Sequence, residues 1–168
     1  MANPPLPREL ALDSNLLFDL AAEEDFALSL LEVCQERGLR FQVPPTVVQE
    51  LAYKATNIHE QPEVRTLARK ALQGMRGWGI TPFDLKSVGH GITEEFAKCL
   101  INRRLLPPEE MNDGLILAEV ALAGIPALVT SDRHLLDISQ EDLRAVLDER
   151  DLDRLEICHP RRLGRLLG

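Results

Sequence analysis

The sequence predicts an α/β protein built around a parallel β-sheet with helices on both faces. Short apolar segments alternate along the chain with longer segments of helical periodicity. The segment 127–129 (ALV) is apolar at consecutive positions, as expected for a strand covered on both faces. Acidic residues follow two of the predicted strands, Asp13 after the first and Asp132 after the fourth. In such sheets, ligands bind beyond the carboxyl ends of the strands, so these acids mark the expected site.

The elements alternate regularly along the chain. Strands are predicted at 9–13, 39–43, 80–83, 127–129 and 155–158. The helical segments have apolar residues three and four positions apart, and glycines or prolines mark most of their ends. They are predicted at 16–37 with a break near 23–24, and at 46–53, 62–78, 92–104, 111–123, 141–150 and 161–167.

Local features of these helices are also predicted. In the segment 16–37, Leu28, Leu31 and Cys34 are expected to face the core. Thr46 is expected to cap the helix that follows the second strand, and Asn112 or a neighbour the helix 111–123.

Length and composition are typical of one globular domain. The 168 residues are 45% hydrophobic and 27% charged, and we expect residues 1–8 to form a flexible N-terminal tail before a domain at 9–168. The three cysteines lie far apart without CxxC spacing, which favours neither a zinc site nor disulfides and predicts a cytoplasmic protein. No segment approaches the length of a membrane span, so no membrane partner is expected. The net charge of −8 argues against a non-specific nucleic-acid coat protein.

Four acids from distant parts of the chain are expected at the carboxyl edge of the sheet. Asp13 and Asp132 follow strands, and Glu50 lies early in the helix after the second strand. Asp113 lies early in the helix that precedes the fourth strand, on the same helical stripe as Ile116 and other apolar residues. An acid on an inward face is costly unless something compensates its charge.

Each acid also has a purely structural interpretation. Asp13 can cap the first helix, and Glu50 can pair with Lys54 four residues later. Asp113 can interact with the positive end of its helix, and Asp132 can be a turn residue. The convergence of all four on one edge favours a shared site over four independent accidents.

The chemistry of such a cluster predicts a hard cation. Clustered carboxylates raise one another's pKa values unless a cation neutralises them. Oxygen ligands without His or Cys suit one or two Mg²⁺ or Mn²⁺ ions, which can activate a water for phosphodiester hydrolysis. Glu110, three residues before Asp113, is an additional candidate ligand; its alternative is a solvated acid at the start of the helix.

Four segments resemble, in order and spacing, the acidic motifs of the PIN-domain family of metal-dependent ribonucleases. They are LALDSNLLFDL, VPPTVVQEL, NDGLILAEVALAG and IPALVTSDRHL. The resemblance spans roughly residues 9–158 and implies a parallel sheet of order 3-2-1-4-5. It implies metal-binding roles for Asp13, Glu50, Asp113 and Asp132, with Ser14 and Ser131 at the small hydroxyl positions. Many small members are toxins of bacterial toxin–antitoxin pairs, so the resemblance also implies a homodimer and an antitoxin partner.

Basic residues give weaker indications of RNA contact. Arg65, Arg69 and Arg76 lie within roughly 40° of one another around the predicted helix 62–78, along a border that could follow an RNA backbone. A solvated edge explains this arginine border equally well. His134 follows Asp132 and could contact a phosphate, or it could be a surface histidine.

The predicted function is a Mg²⁺- or Mn²⁺-dependent endoribonuclease, in which the four acids hold the metal and carry catalysis. The first alternative is a catalytically silent PIN-like module that binds RNA or protein. A phosphotransferase with Asp13 as nucleophile is disfavoured, because that pattern needs a second acid at Asn15.

Overall fold

The computed structural model of the protein describes residues 7–168, except for the side chain of Val88. Most of the predicted N-terminal tail therefore lies outside the described residues. The strands are β1 (Glu9–Leu12), β2 (Arg40–Val43), β3 (Ile80–Pro82), β4 (Ala127–Val129) and β5 (Glu156–Cys158). The helices are α1 (Ser14–Ala21), α2 (Asp25–Glu36), α3 (Pro45–Thr56), α4 (Pro62–Gly74), α5 (Ser87–Asn102), α6 (Met111–Leu122), α7 (Arg133–Leu136), α8 (Gln140–Glu149) and α9 (Pro160–Leu167).

The five strands form one parallel sheet of order β3-β2-β1-β4-β5, which confirms the expected order. The central strand β1 pairs with both β2 and β4: Ala11 lies opposite Gln42 on one side and Leu128 on the other. The chain order reverses between β1 and β4. This position is the switch point where open parallel sheets bind ligands.

Helices cover both faces of the sheet. Leu10, Ala11 and Leu12 are all buried, although successive side chains of a strand point to opposite faces. The same holds for Leu128 and Val129 in β4. The uninterrupted apolar runs in the sequence therefore result from burial on two sides.

The break in the first helical segment lies where it was expected. Glu23 adopts a left-handed conformation with φ of 58°, and α2 starts two residues later. Leu31 and Cys34 face the core as predicted. The prediction for Leu28 is wrong, because this residue is 37% exposed. The buried stripe of α2 consists of Ala27, Leu30, Leu31 and Cys34 at helical spacing, and Leu28 lies beyond the edge of this stripe.

Both predicted caps are wrong. Helix α6 starts at Met111 after Glu110, which makes no side-chain cap bond, so Asn112 already lies within the helix. Thr46 lies inside α3, where its amide and its hydroxyl donate hydrogen bonds of 2.9 and 2.8 Å to the two carboxylate oxygens of Glu119 on α6. The N-terminus of α3 is therefore held by a carboxylate from a neighbouring helix.

None of the described helices combines the length and the apolar character that crossing a membrane requires.

Candidate active site

Asp13 lies directly after the central strand, at the switch point. Its amide donates a hydrogen bond of 3.1 Å to the carbonyl of Val129 in β4, and its side chain is at the start of α1. Its Oδ1 accepts from the Ser14 amide at 2.7 Å, and its Oδ2 accepts from the Thr130 hydroxyl at 2.7 Å. Burial raises the pKa of Asp13, and the nearby charges of Glu50 and Asp132 raise it further, while the Thr130 and Ser14 bonds oppose these effects. Asp13 thus caps α1 and also belongs to an acidic cluster.

Thr130 and Asn15 form a polar network that the sequence did not reveal. The buried Thr130 hydroxyl, besides donating to Asp13, accepts from the amide of Asp132 at 3.0 Å and from Asn15 Nδ2 at 3.2 Å. Asn15 Oδ1 accepts from the amide of Ser131 at 3.2 Å. This network connects the end of β1 to the end of β4. A polar residue directly after a fully apolar strand was the available signal for Thr130.

Asp113 is a buried carboxylate without compensation. It lies in the first turn of α6 with 8% of its surface exposed, and its Oδ2 has no hydrogen-bond partner within the described part of the chain. Burial raises its pKa to about 8, with further increases from the negative charges of Asp132, Asp13 and Glu110. The predicted inward orientation is therefore correct, and it brings this side chain within electrostatic range of Asp132, Asp13 and Glu110.

Glu50 both lies beside the acidic cluster and pairs with Lys54, so its functional and its structural interpretation each have a contact in the structure. Its Oε1 accepts a hydrogen bond of 3.3 Å from the Ser14 hydroxyl, which places it beside the end of β1. The same oxygen lies 3.1 Å from the ammonium of Lys54, four residues later on α3. Glu50 therefore borders the cluster and has a basic partner.

Asp132 and Glu110 complete the group on the other side. Asp132 caps the short helix α7, and its Oδ1 accepts from the His134 amide at 2.8 Å. Glu110 Oε1 lies 3.9 Å from His134 Nδ1, so Glu110 contacts the start of α7. The negative charges of both acids contribute to the raised pKa of Asp113.

The chemistry of these donors fits a divalent cation, although the side chains are not yet arranged as ligands. Over residues 7–168, no three His, Cys, Asp or Glu side chains are grouped closely enough to hold a metal. Asp13, Glu50 and Asp132 are instead engaged by Thr130, Lys54 and the start of α7. The Oδ2 of Asp113 has no hydrogen-bond partner among the described residues, and a cation beside it would offset the cost of burying the charge of this carboxylate. Glu50 and Asp132 each use one carboxylate oxygen for these contacts, Oε1 and Oδ1 respectively.

The three residues predicted to contact substrate beside the acids, Ser14, Ser131 and His134, differ in burial. Ser14 is buried and donates its hydroxyl to Glu50, whereas Ser131 and His134 are exposed. Ser131 contributes its amide, rather than its hydroxyl, to the Asn15 network.

The arginine border is less regular than the sequence predicted. Helix α4 ends at Gly74, so Arg76 lies in the turn that follows and not on the helix. Arg69 Nε donates a hydrogen bond of 3.1 Å to the carbonyl of Ala55 at the end of α3, and Arg65 is half-buried. Helix α4 packs against α1 and α3, the helices that carry Ser14 and Glu50.

Comparisons with known proteins identify the fold. No model of a known protein family and no curated protein matches the sequence. One match, with a TM-score of 0.60, is to a solved structure of VapBC2 from Rickettsia felis. That structure is bound to a DNA fragment from the VapBC2 promoter. The match covers 90% of this chain and 98% of that chain at 15% sequence identity. The chain has a PIN-like fold.

A structure of FitAB bound to an IR36 DNA fragment also matches, with 14% identity, 90% and 94% coverage of the two chains, and a TM-score of 0.46. In the PIN-like fold of this chain, the five acids lie around the switch point between β1 and β4. The family resemblance of the four motifs is thus accompanied by a PIN-like fold.

Proposed function

We propose that this PIN-like domain is a Mg²⁺- or Mn²⁺-dependent endoribonuclease. The observation that carries the proposal is the buried, unpartnered Oδ2 of Asp113, surrounded by the charges of Asp132, Asp13 and Glu110. A protein gains nothing in stability from this arrangement in the absence of a cation, because buried like charges are unfavourable. Hard oxygen donors without sulfur or imidazole suit Mg²⁺ or Mn²⁺.

In this proposal, the acids divide into fixed and adjustable groups. Asp13 is held by the Ser14 amide and the Thr130 hydroxyl, so it would be a rigid ligand. Asp113 would be a second ligand, protonated in part at neutral pH until a cation removes its proton. Glu50, Asp132 and Glu110 would be recruited by side-chain rotation. A bound ion supplies charge stabilisation for a phosphodiester and lowers the pKa of water for in-line attack.

The proposed partners follow from the resemblance. We include RNA as the substrate, a homodimer as the assembly, and an antitoxin as a candidate inhibitor. The VapBC2 structure is described as bound to promoter DNA, and for this chain a role in such a complex is part of the proposal. Co-purification of the chain with the product of a neighbouring small open reading frame would test whether the chain binds an antitoxin.

A catalytically silent PIN-like module is the second candidate. It is favoured by one observation: Glu50 and Asp132 already have partners within the protein. Such a module would bind RNA or protein without turnover and would need no metal.

The two candidates are separated by combining a cleavage assay with thermal denaturation. The pure protein is incubated with structured and unstructured RNAs in Mn²⁺ or in EDTA, and Asp13→Asn is the matched inactive control. We expect RNA cleavage with Mn²⁺ and none with EDTA. The melting temperature should rise with millimolar-range Mn²⁺, because the metal binds the folded state. A melting temperature that responds to Zn²⁺ through the cysteines but not to Mn²⁺ would contradict the proposed site.

A further inference from the structure

The acidic cluster has one lysine within it. Of the five acids, Glu50 and Glu110 are the two that lie within 4 Å of a basic side chain in the described part of the chain. The partner of Glu110 is His134, which carries a charge only when protonated. Lys54, at 3.1 Å from Glu50 Oε1, is therefore the permanent positive charge at the site.

The surroundings of Lys54 differ from those of an ordinary surface lysine. Its side chain is 32% exposed and that of Glu50 is 23% exposed, whereas the equivalent pair Glu94–Lys98 on α5 is 58% and 56% exposed. The Lys54 ammonium also lies 5.3 Å from the centre of the Phe18 ring on α1. A ring face attracts a cation, so Phe18 offers the ammonium a favourable contact in addition to Glu50.

We propose that Lys54 is a substrate-positioning residue that Glu50 holds in the metal-free protein and releases to the RNA backbone when a divalent ion takes the Glu50 carboxylate. This inference rests on the proposed nuclease function and specifies how the same site binds its substrate. The ammonium and the metal compete for Glu50 because both are cations and Oε1 is already engaged by Lys54 and Ser14. Once released, the ammonium remains beside the cluster on the Phe18 ring, where the nearest new anion is the phosphate that enters with the RNA.

The proposal predicts opposite effects on metal and RNA, which a purely structural ion pair would not produce. Lys54→Met keeps the apolar stem and removes the charge, and Lys54→Arg keeps the charge. Lys98→Met is the matched control, because it removes the lysine of another Glu–Lys pair with the same four-residue spacing. Each purified full-length protein is titrated with Mn²⁺ by thermal shift, and RNA cleavage is then measured at several salt concentrations.

We expect Lys54→Met to bind Mn²⁺ with a midpoint roughly two- to fivefold lower than that of the parent, because the competing cation is gone. Its KM for RNA should rise with little change in kcat, and the salt dependence of RNA binding should become flatter by about 0.7 in slope, the value for one lost phosphate contact. Lys54→Arg should keep the salt slope, and Lys98→Met should match the parent in every measurement.

An unchanged Mn²⁺ midpoint in Lys54→Met, or an unchanged salt slope, would overturn the role of Lys54. Neither result affects the nuclease proposal if the parent responds to Mn²⁺ and cleaves RNA. A parent that shows no Mn²⁺ shift and no cleavage would instead refute the proposed function itself, and with it this inference.

Discussion

The side chain that most clearly separates a functional site from a structural one is Asp113. Its buried Oδ2 has no partner among the described residues, and burial raises its pKa to about 8. An unfolded chain would lose this proton near the ordinary value of 3.8. The folded state therefore loses stability relative to the unfolded state as the pH rises from about 4 to about 8.

We predict that Asp113→Asn removes this pH-dependent loss. In EDTA, the variant should be as stable as the parent at pH 4, and more stable by a few tenths to about 2 kcal/mol at pH 8, because it carries no buried charge. Stabilisation by Mn²⁺ should shrink and cleavage should be lost. Chemical denaturation of both proteins at the two pH values is the measurement. A markedly less stable Asn variant that still cleaves RNA would mean that the site lies elsewhere.

Thr130 is the residue that orients the first acid. Thr130→Val keeps the shape but removes the hydroxyl that donates to Asp13 and accepts from the Asp132 amide. We expect the free energy of unfolding to fall by about 1–3 kcal/mol, because buried polar groups lose their partner. Thr130→Ser retains the hydroxyl and is the control, and denaturant titration of all three proteins measures the difference. Equal stability of the Val variant and the parent would show that the network contributes little.

At the level of residues, the sequence predicted the positions of the four acids in the fold better than their hydrogen-bond partners. Asp13, Glu50, Asp113 and Asp132 were predictable because each follows a strand or lies near the start of a helix at one edge. The contact of Thr130 with Asp13 depends on the register of β1 against β4, in which Leu12 lies opposite Val129. No local pattern in a single sequence encodes that register.

At the level of elements, α6 packs closely against α5 at Gly114. A Cβ on Gly114 would lie 2.7 Å from the Cβ and 2.8 Å from the Cα of Ala97, which is closer than real atoms come. Gly114 is adjacent to Asp113, so the helix contact also sets the depth of this acid. Helix propensity favours alanine, but packing excludes it here.

We therefore predict that Gly114→Ala destabilises the protein by about 1–3 kcal/mol through overpacking. The matched control is Gly91→Ala on α5, where an added Cβ would meet nothing within 4 Å. There the substitution should stabilise the protein by about 0.5–1 kcal/mol, because alanine has the better helix propensity. Denaturation of both variants tests the pair, and a stabilised Gly114→Ala would contradict the tight α5–α6 contact.

The errors of prediction at this scale have tertiary causes. Thr46 has the residue type of an N-cap, yet its amide and hydroxyl bind the buried Glu119 of α6. Leu28 has the residue type of a core position, yet the orientation of α2 after the turn at Glu23 exposes it. Strand and helix order were predictable from periodicity, whereas capping and exposure depended on neighbouring elements.

Over the whole molecule, charge is the main constraint on the proposed RNA binding. A net charge of −8 means that any backbone contact must come from local groups of basic residues. Arg65, Arg69 and Arg76 remain the candidate border, although Arg69 already binds the end of α3 and Arg76 lies beyond α4.

If all three arginines contact phosphates, changing them together to Gln should weaken RNA binding and flatten its salt dependence by up to about 0.7 in slope per lost contact. Arg103→Gln, which removes an arginine paired with Glu149, serves as a control for lost charge alone. Filter binding of a single-stranded RNA over a range of salt concentrations is the measurement. An unchanged salt slope would indicate that the arginine border is a solvated edge without RNA contacts.

The hydrogen bond between Thr130 and Asp13 has a consequence for biosynthesis. It joins residues 117 positions apart, and the central strand β1 receives β4 as its second neighbour late in the chain. The ribosome must therefore release the chain through Asp132 before Asp13, Asp113 and Asp132 can come together. If the proposed ribonuclease activity is correct, a growing chain that has not yet passed Asp132 would lack this activity beside its own messenger RNA.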